Sequence, residues 1–159
     1  MGAGKTVVGQ ALANRLGLGF LDLDEVIEQR EKRPIAQIFQ ESGEAYFRQL
    51  EKSLVTEFSR KENLVIACGG GVVLDQDNII NLKQKGIVVY LKAGPEVILE
   101  RTKGYLYRPL LNVPDPKKKI EELLNFREPL YQQADFIVDT SMKDISQVVE
   151  EIIKIIKND

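Results

Sequence analysis

Gly2-Ala3-Gly4-Lys5-Thr6, followed at once by residues with helical periodicity, restricts this chain more than any other stretch. A glycine-rich turn running into Gly-Lys-Thr is the second half of the phosphate-binding motif G-x-x-x-x-G-K-[ST]. Backbone N–H groups in such a turn face one concavity and, with no side chains in the way, reach phosphate oxygens. Lys5 would set a positive charge on the outer phosphates, and Thr6 would offer a hydroxyl to Mg²⁺. Val7, Val8, Ala11, Leu12 and Leu16 recur at helical spacing, and Gly17 supplies a stop. The dipole at the start of that helix adds to the anion site.

Beyond this helix, short apolar runs alternate with helical patterns. Gly19 to Asp24 reads as a strand ending in two carboxylates, and Glu25 to Arg30 as a helix. Pro34 starts a short helix, Ser42-Gly43 turns, and Phe47, Leu50, Leu54 and Phe58 share one face of a longer helix. Leu64 to Cys68 and Ile87 to Leu91 read as buried strands, with a helix from about 77 to 85 between them. Asp115-Pro116 begins a helix expected to end before Pro129; Phe136 to Val138 is the last strand and Ile145 to Ile156 the last helix. This alternation predicts a single α/β domain over residues 1–159, with a parallel sheet covered on both faces.

Composition narrows the chemistry. The chain has no histidine and one cysteine, Cys68, so an internal disulfide is excluded and a structural zinc site is not expected. Catalysis is left to carboxylates, lysine, arginine and bound metal. A net charge of −2 does not suggest a nucleic-acid surface. The longest apolar run, Ile87 to Leu91, is too short to cross a bilayer, so no membrane role is expected. Residues 1–6 also fit the myristoylation pattern M-G-x-x-x-[ST], which the phosphate loop accounts for.

Four further groups of residues point to a site. Asp22 and Asp24 stand two apart at a strand end, where open parallel sheets place ligands. One could hold Mg²⁺ and the other accept a proton, although Asp24 could equally cap the next helix. Gly69-Gly70-Gly71 forfeits conformational entropy and suggests close backbone approach to a ligand, with a tight turn as the alternative. Arg48 and Arg127 offer guanidinium forks suited to a carboxylate or phosphate, or to surface ion pairs. Arg108 lies in the breaker-rich loop 103–114, the kind of flap that neutralises charge and excludes water in phosphoryl transfer. Cys68, with no base nearby in sequence, reads as a packing residue.

Gly2-Ala3-Gly4-Lys5-Thr6, Leu21-Asp22-Leu23-Asp24, Phe47-Arg48-Gln49-Leu50-Glu51, Gly69-Gly70-Gly71, Arg108-Pro109-Leu110-Leu111 and Arg127-Glu128-Pro129-Leu130-Tyr131 occur in this order. Together they resemble the shikimate kinase family over essentially the whole chain. The resemblance implies a three-layer P-loop fold like that of nucleoside monophosphate kinases, with five parallel strands. It implies ATP and Mg²⁺ as cofactors, and phosphoryl transfer to the 3-hydroxyl of shikimate in aromatic amino acid biosynthesis. Gly2, Ala3, Gly4, Lys5 and Thr6 would bind the ATP phosphates, Thr6 and Asp22 the metal, and Arg101 would lie by the adenine. Asp24, Arg48, Gly70, Gly71 and Arg127 would bind shikimate within a helical segment at about 24–60 and its facing loops, with Phe39 and Phe47 as apolar wall. Lys5, Asp24 and Arg108 would be the catalytic residues, with Arg108 on a lid at 103–114. A cytoplasmic monomer is expected.

Two other functions compete: a kinase of the same fold for another small acceptor such as gluconate, and a nucleotide-binding module without strong catalysis. The first glycine of the phosphate motif would fall two positions before Met1. The expectation is a native polypeptide that begins about ten residues earlier, with an apolar strand of ordinary length, and weaker stability and ATP binding without it.

Overall fold

Gly4 takes φ 85° and ψ 21°, a left-handed conformation that costs any residue with a Cβ, and the helix begins at the next residue. In the computed structural model, which describes residues 2–103, 111 and 113–158, this helix is α1 (Lys5–Leu16). After it come β1 (Gly19–Asp22), α2 (Leu23–Glu31), α3 (Ile35–Phe58) and β2 (Leu64–Ala67). A 3₁₀ turn (Val72–Leu74), α4 (Gln76–Lys83), β3 (Val89–Lys92) and α5 (Pro95–Thr102) follow. The described chain closes with α6 (Pro116–Tyr131), β4 (Phe136–Asp139) and α7 (Ile145–Asn158).

Both strand pairs are parallel, as the alternation predicts. β1 pairs with β2, Gly19 opposite Leu64 and Asp22 opposite Ala67. β3 pairs with β4, Val89 opposite Phe136 and Lys92 opposite Asp139. Where the family resemblance implies five strands, four are present among the described residues, in two pairs, and no pairing joins β2 to β3. A cavity of about 530 Å³ is lined from both pairs, by Val65 and Ala67 on one side and Val89 and Leu91 on the other.

Helices cover the strands on two sides, because strand side chains alternate between faces. Val65, Val89, Leu91 and Val138 pack with Val8 and Leu12 of α1 and Val148, Val149 and Ile152 of α7. Leu21, Leu64 and Ile66 point the other way, into a core built from Leu23, Ile27, Ile38, Leu54 and Val55. Full burial of each such aliphatic side chain stabilises by about 1.5–3 kcal/mol, which fixes α2 and α3 over the β1–β2 pair.

Three local expectations need correction. β1 ends at Asp22 rather than Asp24, and Asp22 is the residue that caps α2. Its carboxylate accepts from the Asp24 N–H at 2.9 Å, so Asp24 sits in the first helical turn. The helix expected to stop before Pro129 runs through it to Tyr131. Proline removes one backbone donor there, but Leu130 and Tyr131 beyond it pack against the larger core, which holds the last turn in place. The turn at Gly43 is a kink (φ 81°, ψ 167°) between two segments of α3 rather than an interhelical gap.

Candidate active site

The phosphate loop and Asp22 meet at the end of β1. Thr6 Oγ1 donates to Asp22 Oδ2 at 2.7 Å, while Asp22 Oδ1 is taken up by the helix cap. A hydroxyl and a carboxylate side by side are hard oxygen ligands of the kind Mg²⁺ prefers, so this pair fits the metal expected there. Further ligands would be phosphate oxygens and water, the usual arrangement for Mg²⁺ on a nucleotide. Gly2 packs on α5, where a Cβ would stand 3.1 Å from Ile98 Cγ2. Arg101 approaches the loop from α5: its Nη1 and Nη2 donate to Thr140 Oγ1 and the Thr140 carbonyl at 3.0 and 2.8 Å. Thr140 Oγ1 in turn lies 3.5 Å from the Ala3 carbonyl, so α5, the end of β4 and the loop are tied together.

On the other side of β1 the charged groups run from exposed Glu44 through half-buried Arg48 to buried Glu51. Arg48 Nη1 donates to Glu51 Oε2 at 2.8 Å, and its Nη2 and Nε reach Glu44 Oε1 at 3.0 and 3.2 Å. Its guanidinium lies 5.1 Å from the Phe47 ring centre, and Phe47 packs on Phe39 with centroids 4.9 Å apart. Gly71 lets the Arg48 guanidinium lie against the backbone: a Cβ there would stand 2.3 Å from Arg48 Nη1 and displace it. A Cβ at Gly69 would meet Glu51 Oε1 at 3.0 Å and Asp24 Oδ1 at 3.2 Å, so both carboxylates converge on that glycine.

Glu51 is only 1% exposed, and its Oε1 has no hydrogen-bond partner among the described residues. Burial pushes its carboxyl up, with Arg48 opposing that shift and the nearby Asp24 charge adding to it. Arg127, on α6, is 5% exposed, and its Nε likewise has no partner among the described residues. The structure therefore brings Asp24, Arg48, Gly71 and Arg127 into one neighbourhood around Glu51, which also feels the Arg127 charge. Cys68 is a packing residue as expected: burial pushes its thiol up to about 12, far from a reactive thiolate.

Glu51 is the residue that sequence reasoning left without a role. Its signal was present, since it shares a helical face with Leu54, Val55 and Phe58, and a carboxylate in a buried stripe needs a partner. Arg108 and most of the proposed lid lie outside the described residues. Among the described residues, no helix is long and apolar enough to cross a membrane.

The sequence profile of the shikimate kinase family matches residues 1–157. A shikimate kinase of Caldanaerobacter subterraneus subsp. tengcongensis is 49% identical over 154 residues, covering 97% of this chain and 90% of the relative. A shikimate kinase of Thermodesulfovibrio yellowstonii is 46% identical, covering 97% of this chain and 89% of the relative. The structure of shikimate kinase from Acinetobacter baumannii in complex with shikimate superposes with a TM-score of 0.96 at 40% identity, over 99% of this chain and 89% of that one. Deoxyadenosine kinase from M. mycoides, at 17% identity and a TM-score of 0.65, shares the fold.

Proposed function

The chain belongs to the shikimate kinase family, and we propose that its two groups of charged residues divide the reaction between them. The reaction is transfer of the γ-phosphoryl group of ATP to a hydroxyl of shikimate. The attacking hydroxyl oxygen bonds to the γ-phosphorus as the bond to the leaving ADP oxygen breaks, with both oxygens roughly in line. Lys5 and the N–H groups of the loop from Gly2 to Thr6 hold the phosphates. Thr6 and Asp22 would hold Mg²⁺, which when bound would supply neutralisation of the phosphate charge.

Arg48 and Arg127 grip the acceptor's carboxylate, Asp24 orients its hydroxyl as a hydrogen-bond acceptor, and Gly70 and Gly71 line the pocket. The observation that carries this assignment is Arg127: a buried guanidinium whose Nε lacks a partner calls for an anion. A carboxylate answers it in planar, two-pronged fashion. In this scheme the chain acts as a monomer. Arg101 steadies the nucleotide side through Thr140, and Arg108 is assigned to the lid on the sequence motif alone.

Coupled turnover with Mg²⁺-ATP over shikimate, gluconate and a nucleoside monophosphate tests the scheme. Shikimate should give a kcat/KM higher than the others by orders of magnitude: all three carry an anion for the arginines, but only shikimate is expected to place a hydroxyl at Asp24 while its carboxylate is gripped. A preference for gluconate or the nucleotide would reject shikimate as the acceptor.

A further inference from the structure

Tyr131, the last residue of α6, is held at three points. Its hydroxyl donates to the Gly70 carbonyl oxygen at 2.7 Å. Its ring stacks on Tyr90 of β3, with centroids 4.5 Å apart and planes 19° from parallel. It also stands one helical turn beyond Arg127, and the two side chains interact by charge and hydrogen bonding. Burial raises the phenol's pKa, so the hydroxyl remains a donor across the neutral range.

Peptide geometry gives the bond to Gly70 a consequence at the next residue. A trans peptide unit is planar, and its N–H points opposite to its C=O. Fixing the Gly70 carbonyl therefore fixes the Gly71 N–H and the position of the Gly71 Cα. That Cα is the surface on which the Arg48 guanidinium rests, so close that no Cβ fits between them. Glycines have no side chain of their own to hold such a turn in one conformation. The 3.1 Å bond from Val72 N–H to the Gly69 carbonyl closes the turn but leaves the intervening peptide free to rotate.

We propose that Tyr131 is a positioning residue for acceptor binding, its hydroxyl locking the Gly70–Gly71 peptide so that Arg48 and Arg127 face one carboxylate. The proposal rests on the assignment of those two arginines to the acceptor. It makes Tyr131 the link between the two halves of the grip. Arg127 comes from the same helix, one turn earlier, and Arg48 lies against the loop that Tyr131 holds. Tyr90 supplies the backstop, keeping the ring from swinging away from Gly70.

Tyr131→Phe removes only the hydroxyl and keeps the ring stack. Steady-state kinetics should show the KM for shikimate raised about 3–10-fold, the range for one lost hydrogen bond. The KM for ATP and the kcat at saturation should stay within about twofold, because the interaction acts on acceptor binding alone. Tyr131→Leu, which also loses the stack, should raise the KM for shikimate further. A residue that served packing alone would behave differently: Phe would leave the KM for shikimate unchanged, or both Michaelis constants would rise together with a fall in melting temperature. Either result overturns the proposal. Wild-type turnover of shikimate is the internal reference; its absence would overturn the acceptor assignment and the role of Tyr131 together.

Discussion

Arg48 and Thr6 each donate to a carboxylate at nearly the same distance, 2.8 Å to Glu51 and 2.7 Å to Asp22. The two bonds are nonetheless of different kinds. Glu51 is sealed from water, whereas the Thr6–Asp22 pair is exposed. A buried carboxylate persists only while its cation stays, so the acceptor side is assembled before any ligand arrives. An exposed hydroxyl and carboxylate can trade each other for water, metal or phosphate at little cost. Rigidity is thus placed where a small organic acid must be recognised, and exchangeability where nucleotide and metal come and go.

The sharpest way to break this contrast is Arg48→Met. It leaves the Glu51 carboxylate buried without its cation, and the loss should be ~3 kcal/mol in urea unfolding at pH ~8. Burial already raises the Glu51 carboxyl above its unfolded value. Such a group contributes stability below its unfolded pKa that is lost as pH rises through the folded one. Without Arg48 the folded value rises further, so the variant's stability should fall between pH ~5 and ~8 more steeply than the wild type's. Parallel pH profiles for the two proteins would show that Glu51 does not depend on Arg48.

Arg127→Ala comes next and acts on binding more than on the fold. It should raise the KM for shikimate roughly 10–100-fold, the equivalent of a charged hydrogen bond, and leave ATP untouched. Equal losses for both substrates would place Arg127 outside the acceptor side. The smallest effect on stability is expected from Asp22→Asn. Asparagine still caps α2, so unfolding free energy should move by less than ~1 kcal/mol. The Mg²⁺ concentration for half-maximal rate should nevertheless rise several-fold, because a neutral amide is a poorer ligand than a carboxylate. An unchanged Mg²⁺ requirement would remove Asp22 from the metal site.

Local chemistry was legible wherever it was also local in sequence. Gly4, Lys5 and Thr6 announced the start of α1, and the strand–helix alternation announced the parallel pairs. The strand end at Asp22 was misjudged because two aspartates two apart both look like caps, and only the bond from the Asp24 N–H chooses between them. Pro129 misled for a related reason. The rule that proline ends a helix weighs one lost hydrogen bond, whereas Tyr131 beyond it is anchored by Gly70 and Tyr90, which are remote in sequence. Arg48 and Glu51 stand three apart on one helix and so can pair locally, but their meeting with Gly71 and Asp24 is a matter of tertiary packing, which periodicity does not encode. Family resemblance pointed to the arginines, while Glu51 gains its role from its burial and its bond to Arg48.

Helix α1 packs against β1 and β2 at one side and against α7 at the other, and α7 lies on β4. α1 therefore touches the β1–β2 pair directly and reaches the β3–β4 pair through α7. The phosphate loop is the N-terminal end of that helix. A nucleotide seated on Gly4 to Thr6 thus engages the element shared by both halves of the core, and its binding should raise the stability of the whole fold rather than of one loop.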